Sequence, residues 1–237
     1  MKKQAFSLEM KNRSQPTSIT DCDARIKNKT TASYHKLLDE LKPIQELVLV
    51  APMQVPESIF DLTVAKKAGY FNYPPVGLLY IASVAKQADP NIKITLIDLN
   101  FEMLKNSHKK QFSYDFWEER LTKIIKESSS PYVGISCMFD VNKEVFVQIS
   151  QFIGKEFPDV PILAGGVQAT YDFEELLSKY DFDLVFCKES ETQFFTFIQN
   201  VNQKDRSTEP SGTAFYYEGQ VHVMGATEQD SPVEFDI

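Results

Sequence analysis

The sequence of 237 residues has few of the residues that cross-link or anchor a chain. Its three cysteines, Cys22, Cys137 and Cys187, are too few and too scattered for a disulfide framework. No segment approaches the ~20 consecutive apolar residues that a membrane-spanning helix needs, and no apolar stretch follows the two N-terminal lysines as a secretory signal requires. We therefore expect a protein of the reducing cytoplasm with no membrane partner.

Basic residues are also in the minority. The chain has 25 Lys and Arg against 33 Asp and Glu, a formal net charge of −8, whereas nucleic-acid binders usually present a basic face. No nucleic-acid partner is expected. Residues 1–33 are the exception, with seven basic residues against three acidic ones. We interpret them as a flexible polar arm ahead of an acidic body.

What the sequence does contain is a regular alternation of apolar runs and amphipathic segments. Five runs of the buried-strand type, labelled β1 to β5, occupy 46–52, 92–100, 131–139, 160–166 and 183–189. Predicted helices lie at 34–41, 74–88, 113–127, 142–158, 172–180 and 191–201. Strands that are apolar at nearly every position and alternate with helices indicate a parallel sheet buried on both faces. We therefore predict an α/β, doubly wound domain over 34–203. The flavodoxin-like strand order 2-1-3-4-5 is the expected arrangement of its parallel five-stranded sheet.

The character of the chain changes after this domain. Residues 204–237 read as a polar linker, a β-hairpin turned at Glu218-Gly219-Gln220, and an extended tail. We expect the hairpin to be a C-terminal extension of the α/β domain.

The carboxyl ends of β3 and β4 carry the candidate site, because ligands of open parallel sheets bind there, where the winding reverses. β3 ends in Ser136-Cys137-Met138-Phe139, and β4 ends in Gly165-Gly166-Val167-Gln168. Paired glycines permit a sharp turn and leave room for a bulky group against the main chain, and the Ser136 hydroxyl could bond a ligand nitrogen. A turn alone also explains the glycines, and closing the top of the core also explains Met138 and Phe139.

Other ligand sites have weaker support. No Gly-x-Gly-x-x-Gly follows β1, and no Gly-Lys-Ser/Thr follows the paired glycines, so a nucleotide- or flavin-binding protein would lack a recognisable phosphate loop. Pro52 and Met53 stand at the end of predicted β1, where a receiver domain needs paired acids.

The two strand ends resemble the cobalamin-binding domain that precedes the catalytic barrel in many radical S-adenosylmethionine (radical SAM) proteins. Those domains carry Ser-x-Leu after the third strand and Gly-Gly after the fourth. Here Ser136-Cys137-Met138 and Gly165-Gly166 stand 26 residues apart, with Met in place of Leu.

Three further segments between about residues 44 and 201 share this resemblance. Tyr73-Pro74-Pro75-Val76-Gly77-Leu78-Leu79-Tyr80 resembles the opening of the first helix in the radical SAM variant of the domain. The run from Gly165 to Thr170 resembles a Gly-Gly-x-His-Ala-Thr segment, with Gln168 where His is common, and the run from Lys188 to Thr192 resembles Gly-Glu-Gly-Glu-x-Thr.

The resemblance implies a cobalamin-binding module. In such domains the serine hydrogen-bonds the dimethylbenzimidazole tail, and the glycines let that tail enter beside the sheet. The implied cofactor-binding residues are Tyr73, Gly77, Ser136, Cys137, Met138, Phe139, Gly165, Gly166, Val167 and Gln168.

Two departures qualify what the resemblance implies. Domains that use a histidine as lower cobalt ligand carry Asp-x-His-x-x-Gly after β1, and residues 53–73 contain no match. His35, His108 and His222 are interpreted as ordinary surface histidines, so the implied cobalamin is base-off, with no histidine ligand. The chain also lacks the Cys-x-x-x-Cys-x-x-Cys that holds a radical SAM [4Fe–4S] cluster.

The missing cluster motif implies that this chain has no complete catalytic site and no metal ligands of its own. SAM and the cluster would belong to a barrel in a longer chain, beyond residue 237, or to a separate subunit. The whole would be a B12-dependent radical SAM enzyme such as a methyltransferase. The alternative is a degenerate domain that keeps the fold without the cofactor and docks such a barrel or partner.

Overall fold

The protein folds around one central sheet. The structure is a computed structural model that describes residues 19–67, 69–70 and 73–225, with the side chains of the first helix described from Lys29 onward. The strands are β1 (Glu46–Ala51), β2 (Lys93–Asp98), β3 (Pro131–Ser136), β4 (Ile162–Gly165), β5 (Leu184–Phe186), β6 (Thr213–Tyr217) and β7 (Gln220–Val223). The α-helices are α1 (Ile19–Glu40), α2 (Leu62–Lys66), α3 (Val76–Ala88), α4 (Leu99–Ser107), α5 (Phe116–Glu127), α6 (Lys143–Glu156), α7 (Val167–Lys179) and α8 (Glu191–Ile198).

The sheet has the strand order β2-β1-β3-β4-β5-β6-β7. Its first five strands are parallel, and the last two are antiparallel to their neighbours. The α/β class with a mostly parallel sheet that the sequence predicts is therefore confirmed.

Both faces of the sheet are covered by helices, which is why the strands are apolar throughout. Helices α4 to α7 pack on what we call the first face, where Val48 and Val50 of β1 are buried. Helices α1, α3 and α8 pack on the second face against Leu47 and Leu49. Successive residues of β1 thus enter opposite cores, as the twofold period of a strand requires.

The C-terminal hairpin, which the sequence predicts as an extension of a five-stranded parallel sheet, joins that sheet and brings it to seven strands. β6 pairs with β5, which has only three residues and would otherwise leave its backbone unpaired at an edge. The turn falls at the predicted place, with Glu218 at φ 47° and Gly219 at φ 80°. Two successive positive φ angles are typical of the tight turns that join hairpin strands.

Four helices differ from the prediction. α2 (Leu62–Lys66) lies in a stretch where no helix is predicted. α1 begins at Ile19 and not at residue 34, because the polar residues 19–33 offer no apolar period from which a helix is predicted. Residues 1–18 of the expected arm and 226–237 of the expected tail lie outside the described residues. α4 follows β2 directly, capped by the Asp98 carboxylate, which accepts from the backbone N–H of Phe101 at 2.9 Å. α7 begins at Val167, five residues early, so Val167 and Gln168 form its first turn.

Among the described residues, no helix has the length and apolar character to cross a bilayer. The strand ends and first helical turns that carry the candidate site all lie within the described part of the chain.

Candidate functional site

A row of small residues lies where β1, β3 and β4 end. The register places Ala51 beside Ser136, and Ser136 pairs directly with Gly165. The residues directly before Ser136 and Gly165 are buried in the first-face core. Because successive residues of a strand face opposite sides of the sheet, Ser136 and Gly165 lie on the second face. A Cβ added at Gly165 would have no heavy atom within 4 Å. The edge therefore has open space bordered by one hydroxyl.

The two adjacent glycines have different physical roles. Gly166 has φ 98°, and a Cβ there would lie 2.4 Å from the carbonyl oxygen of Cys137. The same carbonyl accepts a hydrogen bond from the backbone N–H of Gln168 at 3.1 Å. Gly166 thus permits the close approach of two turns, while Gly165 leaves the open space. The sequence predicts both effects but does not assign them to individual glycines.

Cys137 is a core residue at this edge. Its side chain is fully buried, and its thiol donates to the carbonyl of Phe139 at 3.5 Å. Burial raises the pKa of Cys137 to about 12, and it raises the pKa of Cys187 to about 11. A raised pKa keeps a thiol largely in its protonated form, which is a poor nucleophile. No group of three or more His, Cys, Asp or Glu within the described ranges is arranged to hold a metal ion.

Exposed apolar side chains surround the row of small residues. Met138 and Phe139 are 49% and 57% exposed, and Val167 projects from the first turn of α7 with 49% exposure. Exposed apolar groups concentrated at one edge are typical of a ligand or partner surface. These residues suit a large, flat, partly apolar ligand above the strand ends.

The start of α3 provides another part of the edge. Pro75 caps the helix, and Gly77 lies in its first turn. A Cβ added at Gly77 would meet nothing within 4 Å, and Tyr73 just before the helix is 61% exposed. Since α3 packs on the second face against β1, the helix start lies near the same end of the sheet as Ser136.

Two asparagines tie the segments after the strands together, and the sequence analysis did not identify them. The side-chain amide of Asn142 donates to the carbonyl of Met53 at 3.3 Å. The side-chain oxygen of Asn100 accepts from the backbone N–H of Gln54 at 3.1 Å. Both asparagines are buried. In the sequence, the signal that points to them is an asparagine shortly after a predicted strand.

A charged network joins α6 to α7 below the edge, and it too was missed. Lys143 Nζ lies 2.8 Å from the carboxylates of both Asp172 and Glu175. Asp172 also accepts from the side-chain amide of Gln168 at 2.7 Å. Burial alone would raise the pKa of Asp172, but the hydrogen bonds from Lys143 and Gln168 outweigh it, so that this pKa lies below its ordinary value.

The three histidines lie outside the candidate site. His35 is on α1, His108 directly follows α4, and His222 is on β7. The prediction that all are surface histidines is wrong for His222, which is buried and stacks on Phe215 with ring centroids 5.1 Å apart. The physical reason is that the hairpin joins the sheet, so that one side of β7 faces the second-face core.

The fold is a doubly wound α/β domain, and the candidate site is an edge of its sheet with few side chains and an apolar rim. A sequence model of the B12 binding domain matches residues 63–197. The chain belongs to the B12-binding domain family. The matched range includes α3, the carboxyl ends of β3 and β4, and α8 up to residue 197.

Known proteins similar to this chain are larger enzymes. Over 146 residues the chain is 27% identical to cytidylyl-2-hydroxyethylphosphonate methyltransferase of Streptomyces wedmorensis, covering 60% of this chain and 27% of that protein. The radical SAM methyltransferase TsrM of Kitasatospora setae, solved with cobalamin and a [4Fe–4S] cluster bound, has a TM-score of 0.52 at 16% identity over 76% of this chain. TsrM solved with tryptophan and a SAM analogue gives a TM-score of 0.51 at 17% identity.

The chain spans less than a third of the length of these relatives, 27% of the first and 30% of TsrM. At these identities the likeness to TsrM shows the fold alone. The B12-binding domain that the sequence suggests is confirmed by the family match, and the same fold occurs in TsrM, a radical SAM methyltransferase solved with cobalamin bound.

Proposed function

We propose that this chain is the cobalamin-binding module of a radical SAM enzyme, with cobalamin held at the carboxyl edge of the sheet. The observation that carries the proposal is the open space at Gly165 beside the Ser136 hydroxyl, in a chain of the B12-binding family. An apolar side chain at position 165 would occupy this space, and its absence in a packed protein favours an external group.

The residues present fit a cobalamin in chemical terms. Ser136 offers a hydroxyl to the nucleotide tail, while Gly165 and Gly77 leave space near it. Met138, Phe139 and Val167 offer apolar contacts to the corrin plane. Tyr73 and Gln168 would contact the periphery, and Gly166 and Cys137 would hold the turn in shape.

We infer that this chain supplies no histidine beneath the cobalt. The segments that follow β1, β3 and β4 contain no histidine in the sequence, so the cofactor would be bound base-off. When bound, cobalamin supplies a cobalt centre that can carry a methyl group. The domain itself would bind, orient and partly shield that centre.

The chemistry of the whole enzyme would require a second module. S-adenosylmethionine and a [4Fe–4S] cluster would be bound in a radical SAM domain, either in the same longer chain or in a separate subunit. The relatives named above include methyltransferases, so methyl transfer is the reaction class we propose. The unpaired Cys137 and Cys187 suit a reducing, cytoplasmic location.

Cobalamin binding tests this proposal directly. Purified protein mixed with methylcobalamin at micromolar concentration and separated by gel filtration should carry about one equivalent of pigment. The bound pigment should be yellow, as base-off methylcobalamin is, and not red. Colourless protein would contradict the proposal and leave the cofactor-free docking domain, whereas red protein would contradict only the absence of a lower nitrogen ligand.

A further inference from the structure

The network below the candidate site is more tightly built than an ordinary surface ion pair. Lys143 contacts Asp172 and Glu175 at 2.8 Å each, and the side chains of Lys143 and Asp172 are only 26% and 20% exposed. By comparison, Lys155 and Glu156 at the other end of α6 lie 3.4 Å apart and are largely exposed. Exposed ion pairs contribute little to protein stability. A lysine that contacts two carboxylates in a half-buried position therefore indicates a specific role.

The network fixes the side-chain amide of Gln168 in one orientation. A carboxylate can only accept hydrogen bonds, so the group 2.7 Å from Asp172 is the amide nitrogen of Gln168. The amide oxygen then lies on the other side of the group. Within the part of the chain that the structure describes, that oxygen has no hydrogen-bond partner. It is available as an acceptor.

Gln168 is also held by its backbone, at the point where two edge segments meet. Its N–H donates to the carbonyl of Cys137, which follows β3. Lys143 begins α6, directly after the 3₁₀ turn Asp140–Asn142. The ion pairs therefore join the segment carrying Met138 and Phe139 to the first turns of α7.

We propose that Lys143 is a positioning residue that acts through Asp172 to present the Gln168 amide oxygen to an N–H donor of the bound corrinoid. The periphery of a corrin ring carries primary amides, which are N–H donors, so the chemistry of the two partners is complementary. This inference rests on the proposed function, because it names a contact to the ligand that the proposal places at this edge.

A purely structural role for the network is the competing explanation. The ion pairs would then only clamp α6 to α7, and Gln168 would add one more bond to the clamp. Loss of Lys143 and loss of Gln168 would each weaken the clamp. Each loss would then change the affinity for the ligand only slightly, or the two changes in binding free energy would be additive. Coupling in a double-mutant cycle distinguishes the two explanations.

The test measures the dissociation constant of hydroxocobalamin for wild type, Lys143→Met, Gln168→Leu and the double variant. We expect each single variant to bind about tenfold more weakly, the loss expected for one hydrogen bond. The double variant should bind no more weakly than Gln168→Leu alone, because both changes remove the same contact. Lys143→Arg should restore most of the affinity. Lys155→Met, which removes one lysine from the same helix, should bind like wild type.

Hydrogen exchange of the unliganded proteins supplies a second measurement. Lys143→Met should raise the exchange rates of amides in residues 138–142, and Lys155→Met should not. Additive losses in the cycle, or wild-type affinity in Gln168→Leu, would overturn the positioning role while leaving the proposed function standing. A wild type that takes up no cobalamin would overturn both.

Discussion

Two neighbouring positions at the same level of the sheet have opposite surroundings on the second face. Gly165, at the end of β4, borders open space. Phe186, one strand further at the end of β5, is 4% exposed and packs edge-on against Phe194 and Phe197 with ring centroids 5.2 and 5.4 Å away. The register from β4 to β5 makes them neighbours.

This contrast separates the packed core from the candidate site. Over β5 the protein fills the space between sheet and helix with its own aromatic rings, which is the ordinary outcome of close packing. Over β3 and β4 it does not, although Leu49 and Leu163 fill the same face closer to the centre. Within one row the side chains change from an aromatic ring at Phe186 to a hydrogen at Gly165 and a hydroxyl at Ser136, and this open region is where we propose that the ligand binds.

The largest expected effect on cobalamin binding comes from filling the open region. Gly165→Phe should lower cobalamin affinity by roughly a hundredfold or more, since the ring takes the place of the ligand, while the melting temperature changes by no more than about 3 °C. Isothermal titration and thermal unfolding measure the two. Gly225→Phe adds the same ring at a position that is also open but distant from β4, and should bind normally. Equal binding by both variants would remove Gly165 from the site.

Truncating a ring in the filled region should have the opposite result, a loss of stability with cobalamin binding retained. Phe186→Ala should lower the free energy of unfolding by about 3–5 kcal/mol, because it leaves a cavity among packed rings, while the folded protein still binds cobalamin. Urea unfolding measures the loss. Tyr216→Ala, which truncates a 44% exposed ring on β6, should cost less than about 1 kcal/mol. A stable Phe186→Ala protein that no longer binds would place this region in the site.

Replacing each of the two adjacent glycines by alanine should also have different effects on stability. Gly166→Ala should destabilise the protein by about 2 kcal/mol or more, because of its φ of 98° and the contact with the Cys137 carbonyl. Gly165→Ala should leave the unfolding midpoint almost unchanged. Comparable losses in both variants would show that the space at Gly165 is not open in solution.

Removing the hydroxyl in the open region should have a moderate effect. Ser136→Ala should weaken cobalamin binding by about five- to tenfold, the range for one hydrogen bond, with little change in stability. Ser136→Thr keeps the hydroxyl and serves as the comparison. Full affinity in Ser136→Ala would mean that the tail makes no bond there.

The smallest expected effect concerns the charged network and pH. The pKa of Asp172 is lowered in the folded protein, so its stabilisation is fully present above the ordinary aspartate pKa near 4 and is lost as pH falls through the lower folded value. The difference in unfolding free energy between wild type and Asp172→Asn should be constant from about pH 5 to 7 and shrink below about pH 4. A difference that grows on acidification would contradict the lowered pKa.

Much of the site followed from local sequence, and the rest did not. Ser136 and Gly165 were identified because each ends an apolar run, and in a parallel sheet such ends meet at one edge. Asn100, Asn142, Lys143 and Asp172 were not identified, because each has a partner on another element that lies 29 to 89 residues away in the chain. Their roles depend on pairings that no local pattern encodes.

By itself, the sequence determined the α/β class, the buried parallel strands and the position of the hairpin turn, since these depend on apolar period and on turn residues within a few positions. Only the tertiary structure decided that the hairpin completes the sheet, that His222 is buried, and that Gly166 makes the turn while Gly165 leaves the space. Those outcomes depend on which atoms from distant segments come within a few ångströms of one another, and chain order alone does not specify such distances.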